Sequence, residues 1–432
     1  MSSQHSLVQR VPHLAVAVIG LLVCVWGFWN AGRAGLSRLL STYALATSAT
    51  DSPLLTPADE AVSLTPADPN AHFSRAVVLW TLGRTAEAVA EYEGATSLRP
   101  RDYYLWMMLG NARDQVDDEK GALPALNEAV RMAPYYAQPR WQLGNVLFRA
   151  GRRDEGFVEM RRAALSNQKF LPNMIDLAWG ASSKDTAATE GLVQPESRQW
   201  RAALAHFFAR QGQTSEALKL YREAVPLSEQ ERQELIKELL AAKGYAEAYE
   251  VWATVQSSPD NKGQRNSTAL ITNGSFEYQL TFDESGFGWQ FAHDPNTLKF
   301  SLDTTDPRDG THTLRLEWNG NPPPNTPIIS QLVLVEPNAR YRLSFTARTQ
   351  ELVSGGLPLF VIVDKSSDDN RVLAQSRALS KGNSNWQDYT LEFTTGNDAR
   401  AVLVGLQRET CSSDPCPIYG RLWLDNFSIV KL

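Results

Sequence analysis

A spacing of 34 residues recurs through the first half of this 432-residue chain and constrains its fold more than any other feature. Ala95, Ala129 and Ala163 lie 34 and 34 apart; Pro100 and Pro134, Leu109 and Leu143, and Gly110 and Gly144 keep the interval, and Gly83 and Gly151 stand two periods apart. Such periodicity marks stacked helix–turn–helix units, each too small to bury its apolar face alone. The residue types agree with that reading. Gly110 and Gly144 belong where two helices approach too closely for a side chain, and Ala88 and Ala122 where one helix meets the preceding one. Gly83 and Gly151 fall between paired helices, where a turn favours positive φ. Pro100 and Pro134 end the second helix of a unit.

Two sets of residues resemble the tetratricopeptide-repeat signature: Trp106, Leu109-Gly110, Ala122, Ala129 and Pro134, and likewise Gly83, Ala88, Tyr92, Ala95 and Pro100. A third copy keeps Leu143-Gly144, Gly151 and Ala163 but has Gly156 where alanine is usual. Later copies show Leu204, Phe208, Gly212, Ala217, Tyr221 and Ala224, then Gly244, Ala248 and Trp252. Over about residues 165–197 the period is lost; a helix over Leu171–Trp179 and a loop-rich Ala181–Ser197 are expected. The resemblance implies an α-helical repeat domain over 68–256 that docks protein partners on its inner face. Tyr104, Met107, Asn111, Trp141, Asn145 and Phe148 are the partner-binding candidates. Asn111 and Asn145 either hydrogen-bond a partner's backbone or simply belong to a Leu-Gly-Asn consensus. The lysines that grip a terminal carboxylate in one branch of the family are replaced by Met107 and Trp141.

Residues 11–32, between Arg10 and Arg33, carry no Asp, Glu, Lys or Arg. As a helix at about 1.5 Å per residue this stretch covers about 33 Å, enough for the hydrocarbon layer. Trp26, Phe28 and Trp29 gather at one end, where an aromatic belt belongs. The apolar run is longer than that of a cleaved signal peptide, the rival reading. The expectation is a tail over 1–10, a single transmembrane anchor over 11–32 and a Ser/Thr/Pro/Ala-rich tether over 33–67. Of three cysteines, Cys24 lies in the apolar run, while Cys411 and Cys416 bracket a short turn-rich segment. That pair reads as a disulfide in an oxidising compartment, against the alternative of two reduced thiols. Inner-membrane localisation with an extracytoplasmic bulk follows.

After a polar linker over 257–270, the period changes from helix to strand. Tyr341, Leu343, Phe345 and Ala347 alternate with Arg340, Arg342, Ser344 and Thr346, and Leu357–Val363 is nearly all apolar. Many short strands between Gly/Pro/Asn/Asp turns indicate an antiparallel β-sandwich or jelly roll over 271–432. The ordered set Asn273-Gly274-Ser275-Phe276-Glu277, Phe287-Gly288-Trp289, Asp309-Gly310, Gln331, Tyr341-Arg342-Leu343 and Leu422–Ile429 resembles the jelly-roll carbohydrate-binding modules and related galactose-binding-like domains. The resemblance implies that Glu277 and Asp425, with backbone oxygens near Asp309–Thr311, hold a structural calcium; the alternative is that both simply accept hydrogen bonds. Glycan contact is expected from exposed aromatic and polar groups: Trp386, Phe291 and His293. Trp289, Trp318 and Trp423 are expected in the core.

With 42 Lys plus Arg against 48 Asp plus Glu, the net charge is −6, and no basic stripe points to nucleic acid. His293 and His312 have no nucleophile motif beside them, and Asp303, Asp306 and Asp309 sit together in a turn rather than across a cleft. No catalytic set and no required cofactor are expected. The chain therefore reads as a multidomain α + β scaffold that docks envelope proteins through its repeats and binds glycan through its sandwich, in bacterial surface-polysaccharide assembly or export. A protein–protein adaptor whose sandwich binds no sugar is the alternative.

Overall fold

Residues 5–48, 54–256, 270–280, 285–292, 297–320, 327–411 and 415–432 are described by a computed structural model. The chain divides into two compact units, Met1–Gln194 and Pro195–Leu432. The division falls inside the 68–256 stretch read from the sequence as one repeat domain.

In the first unit, helical hairpins follow one another: α3 (Pro69–Thr81) with α4 (Thr85–Leu98), α5 (Tyr103–Gln115) with α6 (Glu119–Met132), and α7 (Ala137–Arg149) with α8 (Arg153–Ser166). Asp68 and Asp102, one period apart, cap α3 and α5 by accepting from the backbone N–H of Asn70 and Tyr104. Gly83 and Gly151 turn the chain at φ +74° and +77°, and Asp117 fills the intervening copy at φ +60°. Aspartate is among the few side chains that tolerate this region. A Cβ on Gly110 would lie 2.5 Å from Leu126 Cγ, and one on Gly144 2.9 Å from the Gly156 carbonyl oxygen. These are the close approaches that the glycines imply.

Two expectations are corrected here. The 33–67 stretch is largely helical rather than a tether: α1 (His5–Ser48) runs unbroken into it and α2 (Leu55–Leu64) follows. Ala44 of α1, Ala58 of α2 and Val78 of α3 form a buried cluster. Ser37 is fully buried and donates to the Ala61 carbonyl at 2.9 Å, while Arg33 donates to the Leu64 carbonyl. The last third of α1 is thus the first helix of the first hairpin. The second correction is at 181–197: beyond α9 (Leu171–Ala181), residues Thr186–Val193 form α10, capped by Asp185 accepting from Ala188 N–H at 2.7 Å.

The second unit opens with α11 (Arg198–Arg210), α12 (Thr214–Ala224), α13 (Glu229–Ala241) and α14 (Tyr245–Gln256). Among the described residues ten strands follow: β1 (Gln290–Phe291), β2 (Leu298–Asp303), β3 (Thr313–Gly320), β4 (Ile329–Leu334), β5 (Arg340–Ser354), β6 (Pro358–Asp364), β7 (Val372–Gln375), β8 (Gly382–Thr394), β9 (Ala401–Arg408) and β10 (Ile418–Lys431). They make two five-stranded antiparallel sheets, ordered β1-β4-β9-β6-β7 and β2-β3-β10-β5-β8. Alternating residues from both sheets fill the space between: Leu314, Leu316, Phe345, Phe360, Val404 and Leu424 are buried there. Phe345 stacks on Phe427 at 5.1 Å and meets Phe360 at 4.5 Å. Gln331, wholly buried, clasps the entering chain by exchanging hydrogen bonds with both backbone groups of Thr272. Helices and sandwich touch within this unit: Tyr245 Oη donates to the Lys365 carbonyl, Lys243 pairs with Asp368, and Tyr249 and Trp252 pack on Phe287.

Candidate functional site

In the first unit, α5 and α7 present matching rows of side chains. Met108, Asn111 and Gln115 stand at i, i+3 and i+7 on α5, so they share a face. Gln142, Asn145 and Arg149 repeat that row on α7 one period later, and together with Trp80 and Asp114 they line a groove of about 340 Å³. Arg149 forms an ion pair with Asp114 of the preceding hairpin. Asn145 Nδ2 donates to its own helix at the Trp141 carbonyl, 2.9 Å away.

Of the candidates for this face, Asn111 and Asn145 line the groove together and the others do not. Met107 is 6% exposed and packs with Ala122, Leu126 and Leu143 between hairpins. Trp141 stacks on Phe170 at 4.9 Å, and Phe148 lies edge-on to Phe157. Tyr104 is exposed, its ring 5.8 Å from Phe73. Met108, Gln115, Gln142 and Arg149 were missed, although the 34-residue offset connects each to its counterpart.

On the sandwich, the aromatic candidates do not converge. Half-buried Phe291 sits on β1 and packs edge-on against Phe300 of β2 at 5.0 Å. Trp386 lies on β8, at the other margin of the second sheet. Its indole donates to the Asp306 carbonyl at 3.2 Å, and the Arg348 guanidinium stands 5.5 Å from its ring. His293 lies outside the described residues. Trp289, Trp318 and Trp423 are all buried, the first two in the inter-sheet cluster and Trp423, 5% exposed, on the opposite face of its sheet. It alternates with the inward Leu422 and Leu424, pairs in register with Arg315 and Arg348, and lies under the Arg348 guanidinium at 4.3 Å. Its indole donates to Asp303 at 2.8 Å. Burial raises the Asp303 carboxyl, but this bond, those from Thr305 and the charge of Arg315 outweigh it and hold the group at about 2.

Glu277 and Asp425 do come together around one loop. Glu277 Oε1 accepts from Thr311 N–H (2.8 Å) and His312 N–H (2.9 Å), and its Oε2 accepts from Thr311 Oγ1 (2.6 Å). Asp425 Oδ2 accepts from Arg308 N–H (2.9 Å) and Asp309 N–H (3.0 Å), and Oδ1 from Asn426 N–H (2.7 Å). Burial pushes the Asp425 carboxyl upward, with those bonds opposing it. At Glu277 the hydrogen bonds overcome burial and the carboxyl sits below its ordinary value. Calcium takes oxygen lone pairs. Here the Glu277 and Asp425 lone pairs accept N–H and O–H groups of the 308–312 loop and Asn426, with the charge of Asp309 close by, which is the hydrogen-bonding alternative of the sequence reading. The arrangement clasps the 308–312 loop to the first and last segments of the domain.

Cys411 and Cys416 are bonded, their Cα atoms 5.9 Å apart. Beside them Arg408 is 3% exposed and donates to the Cys416 carbonyl at 2.6 Å and to Ser354 Oγ at 3.0 Å; burial lowers its pKa. The repeat histidines make inter-helix hydrogen bonds, His72 with Glu91 and His206 with Glu238, each at 2.7 Å. Among the described residues no group of three or more His, Cys, Asp or Glu is placed to hold a metal.

Comparison with known proteins agrees with the two folds. Residues 58–103 and 73–137 match the tetratricopeptide repeat family, and residues 268–413 match a carbohydrate binding domain family. The chain thus carries tetratricopeptide repeats and a C-terminal carbohydrate-binding-type β-sandwich. No curated protein matches it. Similar solved structures include MamA from Desulfovibrio magneticus RS-1, with 19% identity, a TM-score of 0.30 and coverage of 44% of this chain and 93% of that one. Pseudomonas aeruginosa PilF shares 14% identity over 54% of this chain and 97% of its own, with a TM-score of 0.32. Yeast Tom70 shares 18% over 53% and 50%, with a TM-score of 0.30.

Proposed function

We propose that this chain is a membrane-anchored, non-catalytic scaffold whose repeats dock a partner protein and whose sandwich binds glycan, in the assembly or export of a bacterial surface polysaccharide. The observation that carries the docking half is the pair of rows Met108/Asn111/Gln115 and Gln142/Asn145/Arg149 facing one groove. Among the described residues the Asn111 amide has no side-chain hydrogen bond, which leaves it available to the backbone of an extended segment. Such a segment needs regularly spaced amides because its own donors and acceptors repeat along the strand.

The anchor is α1, whose residues from Ala15 onward are long and apolar enough to cross a bilayer. Val16, Ile19, Leu22, Trp26, Phe28 and Trp29 are all exposed on it. The disulfide favours an oxidising compartment and hence an extracytoplasmic bulk on the inner membrane. The adaptor reading, in which the sandwich binds no sugar, draws support from the separation of Phe291 and Trp386.

A photo-crosslinking residue at Gln115 in the full-length chain tests the docking half. The expected outcome is a discrete protein adduct in native membranes that disappears when Asn111 and Asn145 are both changed to Ala. Adduct formation indifferent to both asparagines would remove the groove from the account.

A further inference from the structure

We propose that the sandwich carries a saccharide pocket at the β2–β3–β10 margin of its second sheet, and that this pocket selects neutral, hydroxyl-rich ligands. The proposal rests on the glycan-binding half of the function above and gives it a location that Trp386 and Phe291 do not. A depression of about 320 Å³ opens here, close to the lower end of the ~300–1,000 Å³ typical of small-ligand sites.

Its walls follow from strand register. Lys299, Glu317 and Arg421 stand side by side across β2, β3 and β10. Glu317 Oε1 lies 3.5 Å from Arg421 Nε, and its Oε2 accepts from Arg315 at 2.6 Å. Burial raises the Glu317 carboxyl, but the Arg315 hydrogen bond and the charges of both arginines prevail and keep it below its ordinary value. Glu351 completes the lining, so two cations, Lys299 and Arg421, face two carboxylates. Their charges cancel. A wall of balanced charge gives no net attraction to a polyanion but supplies both donors and acceptors to hydroxyl groups.

A further feature suits a sugar. Tyr419 is 47% exposed and lines the depression, offering an aromatic face to sugar C–H groups. The backbone is distorted at the same place. A register shift between Tyr419 and Arg421 places Gly420 at φ +109° against Glu351 at φ +52°, and a Cβ on Gly420 would come within 2.4 Å of the Glu351 carbonyl oxygen. Bulges of this kind re-aim neighbouring side chains and cluster at functional sites.

The test is affinity electrophoresis of the full chain in detergent through gels containing neutral polysaccharides (β-glucan, galactomannan, dextran) or acidic ones (alginate, polygalacturonate). Retardation by at least one neutral polymer is expected, weakened about tenfold by Tyr419→Ala, which removes only an exposed ring. Wild-type retardation in Tyr419→Ala, with loss in Trp386→Ala, would overturn the pocket and leave the glycan reading standing. A preference for the acidic polymers would overturn the charge argument. No retardation by any polymer would overturn the pocket and the glycan reading together.

Discussion

Restoring the family's usual alanine at position 156 should destabilise this protein. The substitution Gly156→Ala would place a Cβ 2.8 Å from the Gly144 carbonyl oxygen, 3.1 Å from Phe148 N and 3.3 Å from Phe148 Cβ. Two of those three atoms are backbone and cannot rotate aside, so α7 and α8 must separate. Alanine gains about 1 kcal/mol over glycine in a helix interior. Overpacking a close contact costs about 1–3 kcal/mol, and the backbone partners put this site in the upper half of that range. The balance is a net loss of about 1–2 kcal/mol. In a helical unit of this size that lowers the melting temperature by roughly 2–8 °C. The assay is the thermal transition of the full chain followed by circular dichroism at 222 nm, with hydrogen exchange over 137–166 to localise the change. A melting temperature equal to or above wild type would refute the reasoning, because the close approach would then be absent. Gly151→Ala is the control: it meets no atom within 4 Å, but at φ +77° it should cost about 1–2 kcal/mol through backbone strain alone.

Further outcomes follow from the same geometry. Asp425→Ala strands the N–H groups of Arg308, Asp309 and Asn426 and should destabilise the sandwich by about 2–3 kcal/mol in denaturant melts, while calcium and EGTA leave the wild-type melting temperature unchanged. Acid should weaken the sandwich. The depressed carboxyls of Glu277 and Asp303 contribute stability above their unfolded values, and it is lost as pH falls through their folded values, about 2 for Asp303. For Asp303 the loss is about 1 kcal/mol after allowance for solvent screening, and Asp303→Asn should flatten the pH–stability profile below pH 4. The raised Asp425 acts oppositely, its contribution lost as pH rises above its unfolded value, so the slope of the Asp425→Asn variant should be steeper on the acid side. In bilayers, the amides of residues 33–48 should be protected from hydrogen exchange because they form a packed helix; fast exchange there would restore the tether. Reducing the Cys411–Cys416 bond should cost about 2 kcal/mol by the loop-entropy estimate and loosen the carbonyl cup around Arg408, read as a lower melting temperature in reductant.

The repeat fold was legible because the 34-residue interval fixes which glycines, alanines and prolines recur, and each has a steric reason to do so. The groove was only half legible. Asn111 and Asn145 belong to the motif, whereas Met108/Gln142 and Gln115/Arg149 share its period but not its residue types. Extending the offset to every position of α5 and α7 would have found them. The first hairpin escaped because Ser37, Ser41 and Ala44 pack without an apolar signature, and small residues leave little pattern. On the sandwich, alternation placed the core strands correctly, but Trp423 belongs to the opposite face from its apolar neighbours. For Glu277 and Asp425 the sequence left calcium ligation and hydrogen bonding both open, and the structure shows the hydrogen bonds. Whether a loop turns its N–H or its C=O groups toward a carboxylate depends on peptide orientation, which residue identity does not encode.

The most direct test of the central claim is a glycan array probed with the full-length chain in detergent, its fold verified by hydrogen exchange over both units. The account predicts selective binding to a subset of glycans. A folded chain that binds none would contradict it and leave the adaptor, with two protein-docking modules, as the function.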